Sequence, residues 1–169
     1  MSYHFKQPAL LTTALTHPTF VHENPEMGVD DNQRLEFLGD AVIGLVVGHL
    51  LMELFPRGRE GDLTRMRAAL VSEKSLAALA RQLGIGDFLR MGRGEVLSGG
   101  QEKPSILADA LEALMAAIYI DGGFDPVFGV IARAFTPLLT DAGEDPKSRL
   151  QELVQKEAGP PPVYRVLAE

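Results

Sequence analysis

Apolar residues recur with helical spacing along most of the chain, and no convincing two-residue alternation appears before its C-terminal end. Segments rich in glycine and proline separate these periodic stretches. The pattern therefore predicts an all-α fold. Five helices are expected: Pro8–Leu15, Gln33–Phe55, Asp62–Leu83, Ser105–Asp121 and Asp125–Leu139.

Two segments depart from this helical pattern. The connection "RMGRGEVLSGGQEKPS" is long, polar and rich in glycine, and a loop of this length in a compact domain is often functional. After Leu139 the chain continues through a linker-like stretch, a short helix from about Ser148 and one strand-like "VYRVL". We therefore expect a helical domain over 1–140, a linker over 141–147 and the start of a second unit over 148–169.

Composition restricts the class of protein. A chain of 169 residues, 46% of them hydrophobic, can bury one sizeable core. The absence of cysteine excludes disulfides and thiolate metal sites. The first residues do not resemble a secretory signal, and the apolar run Ala41–Val47 is much shorter than the ~20 residues of a membrane span. We expect a cytoplasmic protein without a membrane crossing, although its net charge of −7 argues against a large nucleic-acid footprint.

Two carboxylates interrupt the apolar helix predicted over Gln33–Phe55. Glu36 and Asp40 are four residues apart and share one helical stripe, which continues through Ile43 and Val47 toward a core. Simple solvation is the ordinary explanation for such a pair, but the surrounding residues are apolar. They are Leu35, Phe37, Leu38 and Val42. Because partly buried like charges stay ionised only beside a cation, the pattern favours a metal site.

A second predicted helix repeats this arrangement. Asp109 and Glu112 are three residues apart among apolar neighbours, and four alanines keep the helix thin enough for close packing. Two such helices in contact would gather four oxygen donors at one pocket: Glu36, Asp40, Asp109 and Glu112. Oxygen donors without cysteine or histidine favour Mg²⁺, with Mn²⁺ able to substitute. The four histidines form no cluster and are expected to be surface or capping residues.

These residues carry a resemblance to a known family. The segment "QRLEFLGDAV" resembles the signature of the ribonuclease III family, and "GGQEKPSILADALEALMAAIYIDGG" resembles its second acidic segment. The helices between them also match, and "DPKSRLQELVQKEAGPPPVYRV" resembles the start of a double-stranded-RNA-binding domain. The resemblance thus implies an endonuclease domain over 1–140, followed by an incomplete α/β RNA-binding domain.

The resemblance implies a metal-dependent endoribonuclease that cuts double-stranded RNA to 5′-phosphate and 3′-hydroxyl ends in rRNA and mRNA processing. In relatives, the residues matching the four carboxylates bind metal, and those matching Asp40 and Glu112 are catalytic. A homodimer is also implied, because the phenylalanine matching Phe37 inserts into a hollow on the second subunit. RNA contacts are expected at Gln33, Glu60, Arg65 and Gln151.

Some positions depart from the family pattern. Gln33 replaces a glutamate and Ala41 replaces a serine of the signature, and the RNA-binding domain extends only through its first helix and about one strand. Two alternative functions therefore stay open at this point. One is a non-catalytic RNA-binding or ribosome-associated relative, which would usually lack the acidic residues. The other is an unrelated α-helical, metal-dependent nucleotide phosphohydrolase.

Overall fold

The computed structural model describes residues 3–140, with side chains up to residue 138. Over this range the fold is helical, and the one β-bridge is an isolated pair between Thr16 and Arg90. The all-α prediction is confirmed for these residues. The predicted linker and the start of the second unit lie outside them. The helices are α1 Pro8–Ala14, α2 Pro18–Glu23, α3 Gln33–Leu54, α4 Glu60–Leu70, α5 Glu73–Gln82, α6 Arg93–Leu97, α7 Pro104–Gly122 and α8 Phe124–Thr140.

The continuous helix predicted over Asp62–Leu83 is wrong, because the chain forms two helices there. Helix α4 ends at Leu70, and Ser72 takes an extended conformation with φ −64° and ψ 148°. The Ser72 hydroxyl accepts a hydrogen bond of 3.3 Å from the Ser75 N–H and so caps α5. Apolar periodicity runs through this junction, so the capping serine was the available signal.

Short helices were also missed. Helix α2 has six residues and α6 has five, which is too few to show a period of 3.6. Helix α6 and a 3₁₀ turn at Gly100–Glu102 occupy half of the connection that was predicted to be a loop. This connection is also tied to a distant part of the chain, because the Arg93 N–H donates a hydrogen bond of 2.9 Å to Glu23 Oε2.

The core is centred on α3 and α7, which pack along one another at short range. Four α7 alanines are fully buried, as their small size predicts: Ala110, Ala113, Ala116 and Ala117. On α3, a Cβ added at Gly39 would lie 1.9 Å from the backbone oxygen of Glu112. The two backbones therefore touch at a point where α3 tolerates no side chain.

Helix α3 has two different faces. One face is buried in the core through Val42, Ile43, Val46, Val47 and Leu51. The other carries large exposed apolar residues, namely Phe37, Leu45 and Met52. Among the described helices, α3 alone is long and apolar enough to cross a membrane, but core helices of soluble proteins meet the same criterion. The burial of one face identifies α3 as a core helix.

The C-terminal end of α7 anchors the beginning of the described chain. Asp121 Oδ2 accepts hydrogen bonds from the Tyr3 hydroxyl at 2.7 Å and the Lys6 N–H at 2.9 Å, and Oδ1 accepts one from the Gln7 N–H at 2.8 Å. Burial alone would raise the pKa of Asp121, but these donors outweigh burial and hold its pKa below the ordinary value. Helix α1 is thereby fixed against α7.

Candidate metal centre

The contact between α3 and α7 brings three carboxylates together. One ligand oxygen from each of Glu36, Asp109 and Glu112 lies within 4.8 Å of the others. Glu36 is one turn before Gly39 in α3, and Glu112 is the residue whose backbone Gly39 touches. Close approach of the backbones is therefore what places carboxylates from two helices at one point. The three side chains are neither fully buried nor freely exposed.

Asp40, the fourth predicted carboxylate, lies near this cluster but is not part of it. It is exposed and is not one of the three residues whose oxygens group within 4.8 Å. Its negative charge nevertheless raises the pKa of Glu112 more than any other charged neighbour does. Asp40 is therefore close enough to act electrostatically on the cluster while remaining open to solvent.

The carboxylates hinder one another's ionisation. Burial, followed by the charges of Asp40, Asp109 and Glu36, raises the pKa of Glu112 from 4.5 to about 7. Burial is also the largest cause of the raised pKa values of Glu36 and Asp109. The ionised cluster is thus a site of high negative potential on the protein surface.

This arrangement fits a hard divalent cation. The donors are all carboxylate oxygens, and no salt bridge in residues 3–138 reaches Glu36, Asp109 or Glu112. A bound cation would relieve the repulsion that the protein itself leaves uncompensated. The acidic cluster can therefore hold a metal ion.

Sequence reasoning missed two ionisable residues that act on the cluster. Glu73, at the start of α5, is the charge that most raises the pKa of Asp109, and His17 opposes it. Both residues are far from Asp109 in sequence, so periodicity gave no indication of them. Gly39 was also missed, although a glycine inside a long helix costs about 1 kcal/mol relative to alanine and so indicates a packing reason.

The residues predicted to contact RNA or a second subunit lie outside the cluster. Gln33, Glu60 and Arg65 are exposed, at the start of α3 and along α4. Glu60 accepts a hydrogen bond of 2.9 Å from the Thr64 hydroxyl, and Arg65 forms a salt bridge with Asp62. Gln151 lies outside the described residues. Phe37 is 83% exposed, so its ring is not part of the core of a single subunit.

Comparisons with known sequences all indicate the same protein family. The profile of the family described as Ribonuclease-III-like matches residues 7–138. Ribonuclease 3 of Moorella thermoacetica is 50% identical over 173 residues, covering 98% of this chain and 73% of that protein. Ribonuclease 3 of Geobacter metallireducens is 48% identical over 174 residues, covering 99% of this chain and 71% of that protein.

Solved structures show the same helical architecture. The nuclease domain of ribonuclease III from Campylobacter jejuni superposes with a TM-score of 0.74 at 46% identity, covering 82% of this chain and 90% of that one. A second structure of that domain, with a TM-score of 0.73 and 48% identity over 78% of this chain and 88% of that one, shows flexibility in a region involved in dimer formation. Dicer from Pichia stipitis, at 24% identity and a TM-score of 0.64, shares the fold over 92% of this chain and 63% of that one.

Proposed function

Because the chain belongs to the ribonuclease III family, we propose that it is an endoribonuclease that hydrolyses phosphodiester bonds in double-stranded RNA. The products carry 5′-phosphate and 3′-hydroxyl ends, and rRNA and mRNA precursors are the expected substrates. The observation that carries this proposal is the acidic cluster on α3 and α7, which is intact in this chain. A member of the family that only bound RNA would not need four carboxylates held in mutual repulsion.

The proposed metal ion is Mg²⁺, with Mn²⁺ able to substitute. Glu36, Asp109 and Glu112 would hold it directly, since their oxygens already converge. When bound, Mg²⁺ supplies Lewis-acid polarisation of the phosphoryl group. Asp40 and Glu112 are proposed as the catalytic pair. Asp40 faces solvent, where substrate enters, and Glu112 is the carboxyl group whose pKa burial and its acidic neighbours raise to about 7.

The two alternative functions receive less support. A non-catalytic relative is disfavoured because all four acidic residues are present. An unrelated nucleotide phosphohydrolase is disfavoured by identities of 45 to 50% to proteins named Ribonuclease 3 along nearly the whole chain.

The active protein is a homodimer that acts on duplex RNA in the cytoplasm. We assign Phe37 to the contact between subunits, because a phenylalanine 83% exposed on a helix otherwise packed in a core indicates a missing partner.

Gln33, Glu60 and Arg65 are assigned to RNA contacts on the exposed surface, together with Gln151. The proposed domain organisation remains an endonuclease domain over 1–140, a linker over 141–147 and part of an RNA-binding domain over 148–169.

Cleavage of a labelled RNA duplex tests the activity. In Mg²⁺ the wild type should cut duplex RNA but not single-stranded RNA or nucleoside triphosphates. Glu112→Gln preserves shape while removing one charged ligand, so cleavage should fall below detection although duplex binding persists. Glu26→Gln, at an exposed glutamate outside the cluster, is the matched control and should cut normally. A Glu112→Gln protein that cuts at the wild-type rate would contradict the site assignment.

A further inference from the structure

Backbone hydrogen bonds fix His17 near the start of α3. Its backbone N–H donates a hydrogen bond of 2.9 Å to the Arg90 carbonyl, which fixes the start of α2 against the segment before α6. The neighbouring Thr16 carbonyl accepts a hydrogen bond from the Asn32 N–H at 2.9 Å. The Asn32 carbonyl in turn accepts one from the Glu36 N–H at 2.8 Å. A short path of backbone hydrogen bonds therefore connects His17 to a residue of the candidate metal centre.

Thr19 determines which ring nitrogen of His17 carries the proton. The Thr19 backbone N–H donates to His17 Nδ1 at 3.3 Å, so Nδ1 acts as an acceptor. The Thr19 hydroxyl lies 2.8 Å from the same nitrogen and accepts a hydrogen bond from the Gly92 N–H at 3.0 Å. Its own proton is thus available to Nδ1. With Nδ1 accepting, the neutral imidazole carries its proton on Nε2.

The Nε2–H of His17 has no acceptor within the described part of the protein. No hydrogen bond to this atom occurs there, and it is not sealed from solvent, in contrast to the buried and unpartnered Nδ2 of Asn32. The hydrogen bonds from Thr16 through Asn32 to Glu36 hold this segment against the start of α3, and a protonated His17 ring would lower the pKa values of Asp109 and Glu95. His17 thus presents one free donor of fixed direction next to a metal centre.

We propose that His17 is a substrate-binding residue whose Nε2–H donates a hydrogen bond to a backbone phosphate of the RNA next to the cleavage site. This inference rests on the proposed function. A site lined by carboxylates repels the phosphates that it must accept, so a hydrogen-bond donor at its edge is well suited to orient the strand without competing for the metal ion. Phosphate contacts of this kind set register rather than sequence preference.

Binding measurements with matched variants test the proposal. His17→Asn removes Nε2–H but keeps a side chain that is favoured at a helix N-cap, so α2 should remain folded. His17→Ser introduces a second residue type that is favoured at a helix N-cap, and so shows whether an effect is specific to asparagine. His22→Asn is the control, because His22 is an exposed histidine in the last turn of the same helix. All are made in Glu112→Gln protein, so that the duplex stays uncut.

Both His17 variants should bind duplex RNA about tenfold or more weakly than the parent, as expected for a hydrogen bond to a charged acceptor. His22→Asn should stay within about twofold, as most surface substitutions do. A series of duplexes, each with one phosphate replaced by a neutral methylphosphonate, should show the His17→Asn effect disappearing at one position per strand. Mn²⁺ affinity of the RNA-free protein, measured by calorimetry in the wild-type background, should be unchanged by His17→Asn.

Three outcomes would overturn the inference. Unchanged RNA affinity in the His17 variants would show that the donor is not used. Loss of Mn²⁺ binding would show that His17 acts on Asp109 and the metal site and does not contact RNA. A loss of RNA affinity that is the same for every methylphosphonate duplex would indicate a general binding defect. A parent protein that does not bind duplex RNA would contradict the proposed function itself. In the three outcomes above the parent still binds, so they count only against the role of His17.

Discussion

At the scale of single residues, Glu112 is the clearest sign of what the site is built to hold. Its pKa rises to about 7 because burial and three neighbouring carboxylates all disfavour its charged form. Without a cation the protein must therefore either protonate this residue or tolerate the repulsion. A group in this position weakens the folded state at neutral pH, and strongly shifted carboxyl groups of this kind are concentrated at functional sites.

The pH dependence of stability follows from this shift. The pKa of Glu112 is raised in the folded state, so the stability that its protonation contributes is fully present below about pH 4.5 and is lost as pH rises through about 7. Glu112→Gln cannot ionise. In the absence of divalent metal at pH 8, the variant should be more stable than the wild type by ~1–2 kcal/mol, a value reduced for solvent screening. Urea unfolding at pH 4, 6 and 8 in EDTA measures the difference.

Added Mg²⁺ should reverse this order, because a ligand that binds the folded state stabilises the wild type more than the variant. Glu26→Gln should follow the wild type at every pH. A constant difference between wild type and Glu112→Gln from pH 4 to pH 8 would mean that the charge of Glu112 is not the cause.

At the scale of helices, the site depends on how closely α3 and α7 approach. Gly39 is the point of contact, since any side chain there would overlap the backbone of Glu112. Backbone atoms cannot rotate away as the end of a flexible side chain can. The distance between the helices therefore controls whether carboxylates from both can share one cation.

Gly39→Ala tests this dependence. Its Cβ would lie 1.9 Å from the Glu112 carbonyl oxygen, so α3 and α7 must separate. We expect a loss of at least about 3 kcal/mol in the free energy of unfolding, measured with urea, and a loss of Mn²⁺ binding by calorimetry. Gly61→Ala is the matched control, because a Cβ in that α4 position meets nothing within 4 Å. The control should keep its stability or gain up to about 1 kcal/mol. Normal metal affinity in a folded Gly39→Ala protein would refute the argument.

At the scale of the whole molecule, the exposed apolar face of α3 indicates that the functional assembly contains a second subunit. Phe37, Leu45 and Met52 project from the same helix that supplies Glu36 and Asp40. If a second copy covers Phe37, each metal centre lies next to the subunit contact. Two such centres related by a twofold axis would act on the two strands of one duplex.

Phe37→Ala is expected to weaken the dimer by ~3 to 5 kcal/mol per buried ring, with each subunit remaining helical. Because the dimer is twofold symmetric, the substitution removes two Phe37 rings from each interface. Sedimentation equilibrium over a range of protein concentrations gives the dissociation constant, and circular dichroism reports the helix content. Phe37→Leu, which keeps part of the apolar volume, should show an intermediate loss. A wild type that sediments as a monomer at micromolar concentration, or an alanine variant that dimerises unchanged, would rule out this role.

Particular elements show where sequence reasoning succeeds. Helices α1, α3, α7 and α8 begin and end within about two residues of their predicted limits. The last three are long, so their apolar periodicity is well defined. The junction at Val71 and Ser72 was missed because a helix start inside a periodic stretch is defined by a local cap. Helix α2 was missed because six residues carry little periodicity.

The sequence by itself determined the helical class, the two stripes of carboxylates and the oxygen-only chemistry of the site, because spacing along a helix fixes which side chains share a face. Only the tertiary structure decided that Glu36, Asp109 and Glu112 converge while Asp40 stays on the solvent side. It also brought Glu73 and His17 within electrostatic range of Asp109. These relations join residues far apart in the chain, and they depend on backbone approach and burial, which no local pattern encodes.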